Sequence, residues 1–186
     1  MKKATILFCT LFITYSYSQN NKSSLHFNSG EVKQGYVNFV SDSIIEYKNS
    51  KKDKYIEYSL KDINYVEVFR KSRTSIYEYI EIDGVNYKKP LELVIKGKVS
   101  LYMSELSGTG QIGQEYYKTK SYYLKRNNKP AVFITVLGGI TSKNFKKAIA
   151  EYFDDCPVLI QTVKEKKLRK RKIKEIVVLY NETCND

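Results

Sequence analysis

The sequence predicts an α+β fold, with a β-rich N-terminal region (a small barrel or bent antiparallel sheets) followed by a three-helix C-terminal segment. Two observations carry this. Up to residue 136, apolar residues recur at every second position in short runs separated by turn residues, the period of half-buried strands. Beyond Thr141 they recur at i, i+3, i+4 and i+7, the period of one helix face. Strands first and helices last is the α+β order, not the alternation that builds a parallel sheet.

Residues 19–72 carry the first runs, Leu25-His26-Phe27, Val32 to Val40, Ile44 to Tyr47, Tyr55 to Tyr58 and Tyr65 to Phe69. Asn28-Ser29-Gly30 and Asn49 to Asp53 supply turn chemistry between them. So many short strands in so short a span predict a small barrel-like region, with Gly35 at a bend or bulge. Residues 73–140 continue as an antiparallel β region, with runs at Ile76 to Ile82, Leu91 to Ile95, Val99 to Met103, Tyr116 to Leu124 and Val132 to Val136. Turns fall at Asp83-Gly84 and Asn127 to Pro130. The Ser- and Gly-rich stretch 105–115 predicts a mobile hairpin loop.

Residues 141–186 form the helical segment. Phe145, Ala148, Ile149 and Tyr152 mark the first helix, with Ser142 as its expected N-cap. The second opens at Cys156-Pro157, where proline at the first helical position costs no hydrogen bond, and turns Leu159, Ile160 and Val163 inward. The third runs from about Arg169 to Tyr180, with Ile173, Ile176, Val177 and Tyr180 as its apolar stripe.

Residues 1–18 predict a secretory signal peptide: Lys2 and Lys3, an apolar run from Ala4 to Thr14, and small residues at Ser16-Tyr17-Ser18 before Gln19. The apolar run is far shorter than the ~20 residues a membrane-spanning helix needs. Cys9 follows bulky Phe8, unlike a lipid-attachment cysteine. The expected product is an exported chain, periplasmic, envelope-associated or secreted, with no transmembrane segment. Export leaves Cys156 and Cys184, which predict one disulfide. The loop it closes, roughly 29 residues, is worth on the order of 3–4 kcal/mol in the chain-entropy model.

The formal charge is +12, and it stays strongly positive after Lys2 and Lys3 are removed. Its densest stretch is Lys164, Lys166, Lys167, Arg169, Lys170, Arg171, Lys172 and Lys174 against Glu165 alone, a candidate anion-binding segment and otherwise a solvated face. Export makes an anionic surface the fitting partner, and no nucleic acid is expected. No catalytic, cofactor or metal site is predicted. His26 is the only histidine, so zinc lacks a second imidazole, and its strand setting reads as solvent-facing. Gly108-Thr109-Gly110-Gln111-Ile112-Gly113 matches the dinucleotide fingerprint, but a strand, not a helix, is expected after it. Asp154 and Asp155 project apart and suit capping of the second helix. Tyr116 to Arg126 interleaves aromatics with cations as single-stranded nucleic-acid binders do, but a strand with one packed and one wet face explains the alternation better. Asn21-Lys22-Ser23 and Asn181-Glu182-Thr183 match the glycosylation sequon, a pattern common by chance.

The chain resembles a family of uncharacterised secreted or cell-envelope proteins of Gram-negative bacteria. The resemblance rests on Ser29-Gly30-Glu31 with Gly35-Tyr36-Val37, Ile45-Glu46-Tyr47-Lys48 and Asp62-Ile63. At the other end it rests on Ser142 to Lys147, Tyr152-Phe153, Asp155-Cys156-Pro157 with Leu159, and Tyr180-Asn181 before Cys184. The N-terminal β segment is also similar to SH3-like and Sm-like barrels. The resemblance implies export and brings no activity, and an Sm-like strand pattern does not import RNA binding. The expected role is a non-enzymatic macromolecule-binding or structural module that meets an envelope protein. The alternatives are a peripheral protein held on an anionic membrane or polyanion by 164–174, or an enzyme of unrecognised type.

Overall fold

A computed structural model describes residues 21–109, 116–139, 144–165 and 168–184. Among these, ten strands form one mostly antiparallel sheet: β1 (Lys22–Phe27), β2 (Val32–Phe39), β3 (Ile44–Lys48), β4 (Ile56–Ser59), β5 (Ile63–Phe69), β6 (Thr74–Glu81), β7 (Lys88–Ile95), β8 (Val99–Thr109), β9 (Tyr116–Arg126) and β10 (Val132–Leu137). Three helices follow near the C-terminus, α1 (Phe145–Tyr152), α2 (Pro157–Glu165) and α3 (Ile173–Thr183). The α+β order is therefore observed. Strands lie side by side in the order β10-β9-β8-β7-β6-β5-β1-β2-β3-β4, so β1 is inserted between β5 and β2. The sheet runs unbroken through residue 72, because β5 pairs with β6.

Two expectations change. The sheet does not close, so the small barrel is replaced by a bent, open sheet in which β4 pairs with β3 alone. The loop 105–115 is shorter than its composition suggests, since Glu105 to Thr109 belong to β8 and pair in register with Tyr116 to Lys120. Cross-strand charge pairing favours that extension: Glu105 meets Lys118 at 2.8 Å and Lys120 at 3.6 Å. The rest of the loop, 110–115, lies outside the described residues.

Strand register places Leu25, Val66, Tyr77, Glu92, Met103 and Tyr122 in one row across a single face. Over β1–β5 that face curls on itself. Leu25, Ile45, Val66 and Val68 are buried there, and Tyr58 of β4 meets Phe27 of β1 with ring centroids 5.1 Å apart. Gly35 permits the curl: a Cβ there would come within 2.3 Å of the Lys48 carbonyl and 2.7 Å of the Tyr47 ring. Over β8–β10 the same face is roofed by helices. Leu101, Leu124 and Ile134 pack with Ile149, Phe153, Leu159, Ile176 and Tyr180. The opposite face of β6–β10 buries Ile80, Leu91, Tyr102 and Tyr123, and a parallel bridge from Ile82 to Ala131 draws the end of β6 toward the start of β10.

The cap of α1 is Asn144, whose side chain accepts from the backbone N–H of Lys146 and Lys147 at 3.1 and 3.3 Å. Ser142, the expected cap, lies outside the described residues. The third helix begins one turn later than expected, after a 3-10 turn at Lys170–Lys172. Helices this short are marginal alone in water and depend on the apolar face they bury.

Candidate functional site

The helical roof is a locked structure. Arg126 at the end of β9 donates to both carboxylate oxygens of Asp155 at 2.8 Å and to the Tyr152 carbonyl at 2.9 Å. Its guanidinium lies 5.1 and 5.0 Å from the Tyr152 and Tyr180 ring centroids. The Tyr180 hydroxyl donates to the same carboxylate at 2.6 Å. These hydrogen bonds, that from Arg126 foremost, hold the Asp155 carboxyl down at about 2. Burial, with the Asp155 contact, pushes Tyr180 up to about 12. Asp155 is thus an ion-pair residue, not the cap of α2 that its position before Pro157 suggests.

Cys156 and Cys184 form the expected disulfide, with Cα atoms 6.0 Å apart. Beside it, the Asn181 side chain accepts from the Val99 N–H and donates to the Val99 carbonyl, both at 2.9 Å. That clamp engages the amide nitrogen of the Asn181 sequon with the backbone of β8. Gly97 makes room for it, since a Cβ there would stand 2.3 Å from the Asn181 amide nitrogen.

The basic segment divides. Lys170 donates to the Val136 carbonyl at 3.2 Å, placing a lysine against strand β10 at one end of the strand order. Lys172 pairs with Glu175 at 2.6 Å. Lys164, Arg169, Arg171 and Lys174 are exposed. Lys166 and Lys167 lie outside the described residues.

Among the described residues, two hollows on the sheet stand apart from the helices. The smaller, of about 390 Å³, is bordered by Phe39, Arg70, Tyr77 and Glu92. Its charged groups are engaged by the protein. Glu92, only 5 % exposed, pairs with Arg73 at 3.0 Å and accepts from Ser75 at 3.1 Å, while Arg70 donates to the Tyr77 hydroxyl at 2.7 Å. A buried charge so paired is structural by default.

The larger hollow, about 830 Å³, opens between the Leu60–Asp62 turn and the turn joining β6 to β7. Its walls are fixed by backbone bonds. Leu60 N–H donates to the Ser43 carbonyl, Asn28 N–H to Asp62, Asp83 N–H to Ala131, and Ala131 N–H to Glu81. Tyr79, Tyr87, Asn28, Asn64 and Asn86 line it. Compared with family models, curated proteins and solved structures, the chain matches none. Function must therefore be read from these groups themselves.

Asp42, Asn64, Asp83 and Asn86 are exposed on this cleft, and their side chains make no hydrogen bond or ion pair among the described residues. The Tyr79 hydroxyl is buried and likewise has no hydrogen-bond partner there, and burial raises its pKa. Among the described residues no group of histidine, cysteine and carboxylate side chains could hold a metal ion. His26 is half-buried, stacked on Tyr65 at 4.0 Å and 3.3 Å from Glu67, not the free solvent-facing group its strand suggested. Gly108 and Thr109 lie in β8, with Gly110 to Gly113 outside the described residues. The next element, β9, is a strand, so the helix that a dinucleotide site requires does not follow. In β9 itself Tyr122 and Leu124 are buried on one face and Tyr123 on the other, the packing that its aromatic-cation alternation allowed.

Sequence reasoning missed the cleft, because its lining comes from five separate places along the chain. The available signal was local: Asp83-Gly84 and Asn86 are turn residues without a side-chain partner among the described residues, whereas Asn28 donates to the Lys61 carbonyl at 2.7 Å.

Proposed function

We propose that this chain is an exported, non-enzymatic binding module, in which the disulfide-tied helices stabilise one part of the sheet and the β-rich part meets a macromolecule of the cell envelope. One observation carries the reading. In the helical roof Arg126, Asp155, Asn181, Lys170 and Lys172 are engaged with protein partners, whereas the cleft between the two turns holds side chains without one. The disulfide, together with the absence among the described residues of a helix long and apolar enough to cross a membrane, is compatible with export. Kinship with the Gram-negative envelope family rests on its motif residues alone.

Affinity capture from envelope extracts on the tagged protein tests the reading. One macromolecule should be enriched, and substitutions lining the β-rich cleft should reduce it. No enrichment, alongside turnover of an envelope substrate, overturns the reading in favour of an enzyme of unrecognised type. A second reading is supported by the exposure of Lys164, Arg169, Arg171 and Lys174: these hold the protein on an anionic surface. Flotation with anionic liposomes should then weaken as salt rises, and equal binding to neutral and anionic liposomes at low and high salt overturns it.

A further inference from the structure

We propose that the cleft between the Leu60–Asp62 turn and the β6–β7 turn binds a neutral oligosaccharide. This rests on the binding-module reading and names the ligand class for its cleft. Size comes first: about 830 Å³ lies within the range of small-ligand pockets. Shape is preset, because each wall is held by the backbone bonds at Leu60, Asn28, Asp83 and Ala131.

Charge narrows the class. In a chain of formal charge +12, this cleft is lined by Asp42, Glu81 and Asp83 against Lys61 and Lys88. Glu81 and Lys88 neutralise each other at 3.3 Å. What remains is Asp42 and Asp83 against Lys61, with Lys89 beside Tyr87, a near-neutral cleft without the positive surplus that would favour phosphate polymers and acidic glycans, the ligands the net charge would otherwise suggest. A purely apolar ligand is disfavoured as well, since it would cover the amides and carboxylates without satisfying them.

The remaining groups match a polyhydroxylated ring. Asn64 and Asn86 each offer one acceptor and two donor hydrogens, and Asp42 and Asp83 offer paired acceptors, the complement of neighbouring sugar hydroxyls. Tyr87, 46 % exposed at the rim, offers ring area to the C–H face of a sugar, with the Lys89 ammonium 5.3 Å from its centroid. Tyr79 also lines the cleft, its hydroxyl buried without a hydrogen-bond partner among the described residues.

The test is calorimetric titration of the intact protein with neutral hexasaccharides of glucose, mannose and N-acetylglucosamine, with a heparin hexasaccharide as the anionic control. At least one neutral hexasaccharide should bind, equally at low and high salt. Tyr87→Ala should weaken it about tenfold, and Asn86→Ala by less, with unchanged melting curves because both side chains are exposed. Heparin bound through 164–174 would instead fade with salt and ignore Tyr87→Ala. No binding of any neutral hexasaccharide at millimolar concentration, or binding indifferent to both substitutions, overturns the proposal. Should affinity capture still enrich an envelope protein in that case, the binding-module reading stands while the sugar assignment falls. Failure of both removes both.

Discussion

Strands β1–β5 bury their inner face by curling until Tyr58 meets Phe27, whereas β8–β10 bury the continuation of that face beneath three short helices. The first solution is made within the sheet and needs a glycine where rings and backbone crowd. The second joins chain segments far apart in sequence, and each helix is too short to persist by itself. Accordingly the roof is tied by a disulfide, a two-pronged ion pair and an amide clamp, all on the helical side. The difference separates the molecule into a self-supporting half and a tethered half, and five changes test that separation.

Breaking the disulfide should have the largest effect. Cys156→Ser with Cys184→Ser should cost about 3–4 kcal/mol of stability by denaturant titration. Amide exchange should accelerate in α1–α3 and β8–β10 and stay slow in β1–β5. Equal acceleration everywhere would make the two halves one cooperative unit.

Next come the two glycines. Gly35→Ala and Gly97→Ala should each cost about 2 kcal/mol, by overpacking against the Lys48 carbonyl and the Asn181 amide respectively. Exchange should reveal the damage in opposite halves. Asn181→Ala in the Gly97→Ala background should relieve part of the second cost and none of the first.

Acid should then discriminate the ion pair. The Asp155 carboxyl titrates near 2 in the folded protein, below its unfolded value of about 3.9. Its contribution is fully present above that unfolded value and is lost as pH falls through the folded one. With the carboxylate 40 % exposed, solvent screening reduces that contribution to about 1 kcal/mol. Asp155→Asn should flatten this acid-side decline in urea midpoints between about pH 4 and pH 2. An unchanged decline would assign it to other carboxylates.

Thr135→Val should give the smallest change. The Thr135 hydroxyl is buried at 1 % exposure with no hydrogen-bond partner among the described residues. Removing it should stabilise the roofed half by up to about 1 kcal/mol, read as a raised Tm. A loss of stability would reveal a partner for that hydroxyl, such as an internal water.

Strand positions were legible because the period of two is a local property. Val32 to Val40 predicts β2 to within a residue, as Ile44 to Tyr47 does β3. The disulfide was legible because Cys156 and Cys184 are the two cysteines outside the expected signal peptide. The loop 105–115 misled, because Ser and Gly lower strand propensity while the cross-strand partners that restore it, Lys118 and Lys120, lie beyond the turn. Asp155 misled for the same reason: its neighbours suggest a helix cap, but Arg126 reaches it from β9.

By itself the sequence determined the number and order of elements, the cysteine pair and the excess of positive charge, since periodicity and composition act over a few residues. Only the tertiary structure decided that β1 enters between β5 and β2 and that the sheet stays open. It also decided that part of the basic segment is committed to Val136 and Glu175. The cleft belongs to that second group. Asn28, Asp42, Asn64, Tyr79 and Tyr87 share no local pattern, and they meet only because strand register and sheet curvature bring distant turns together.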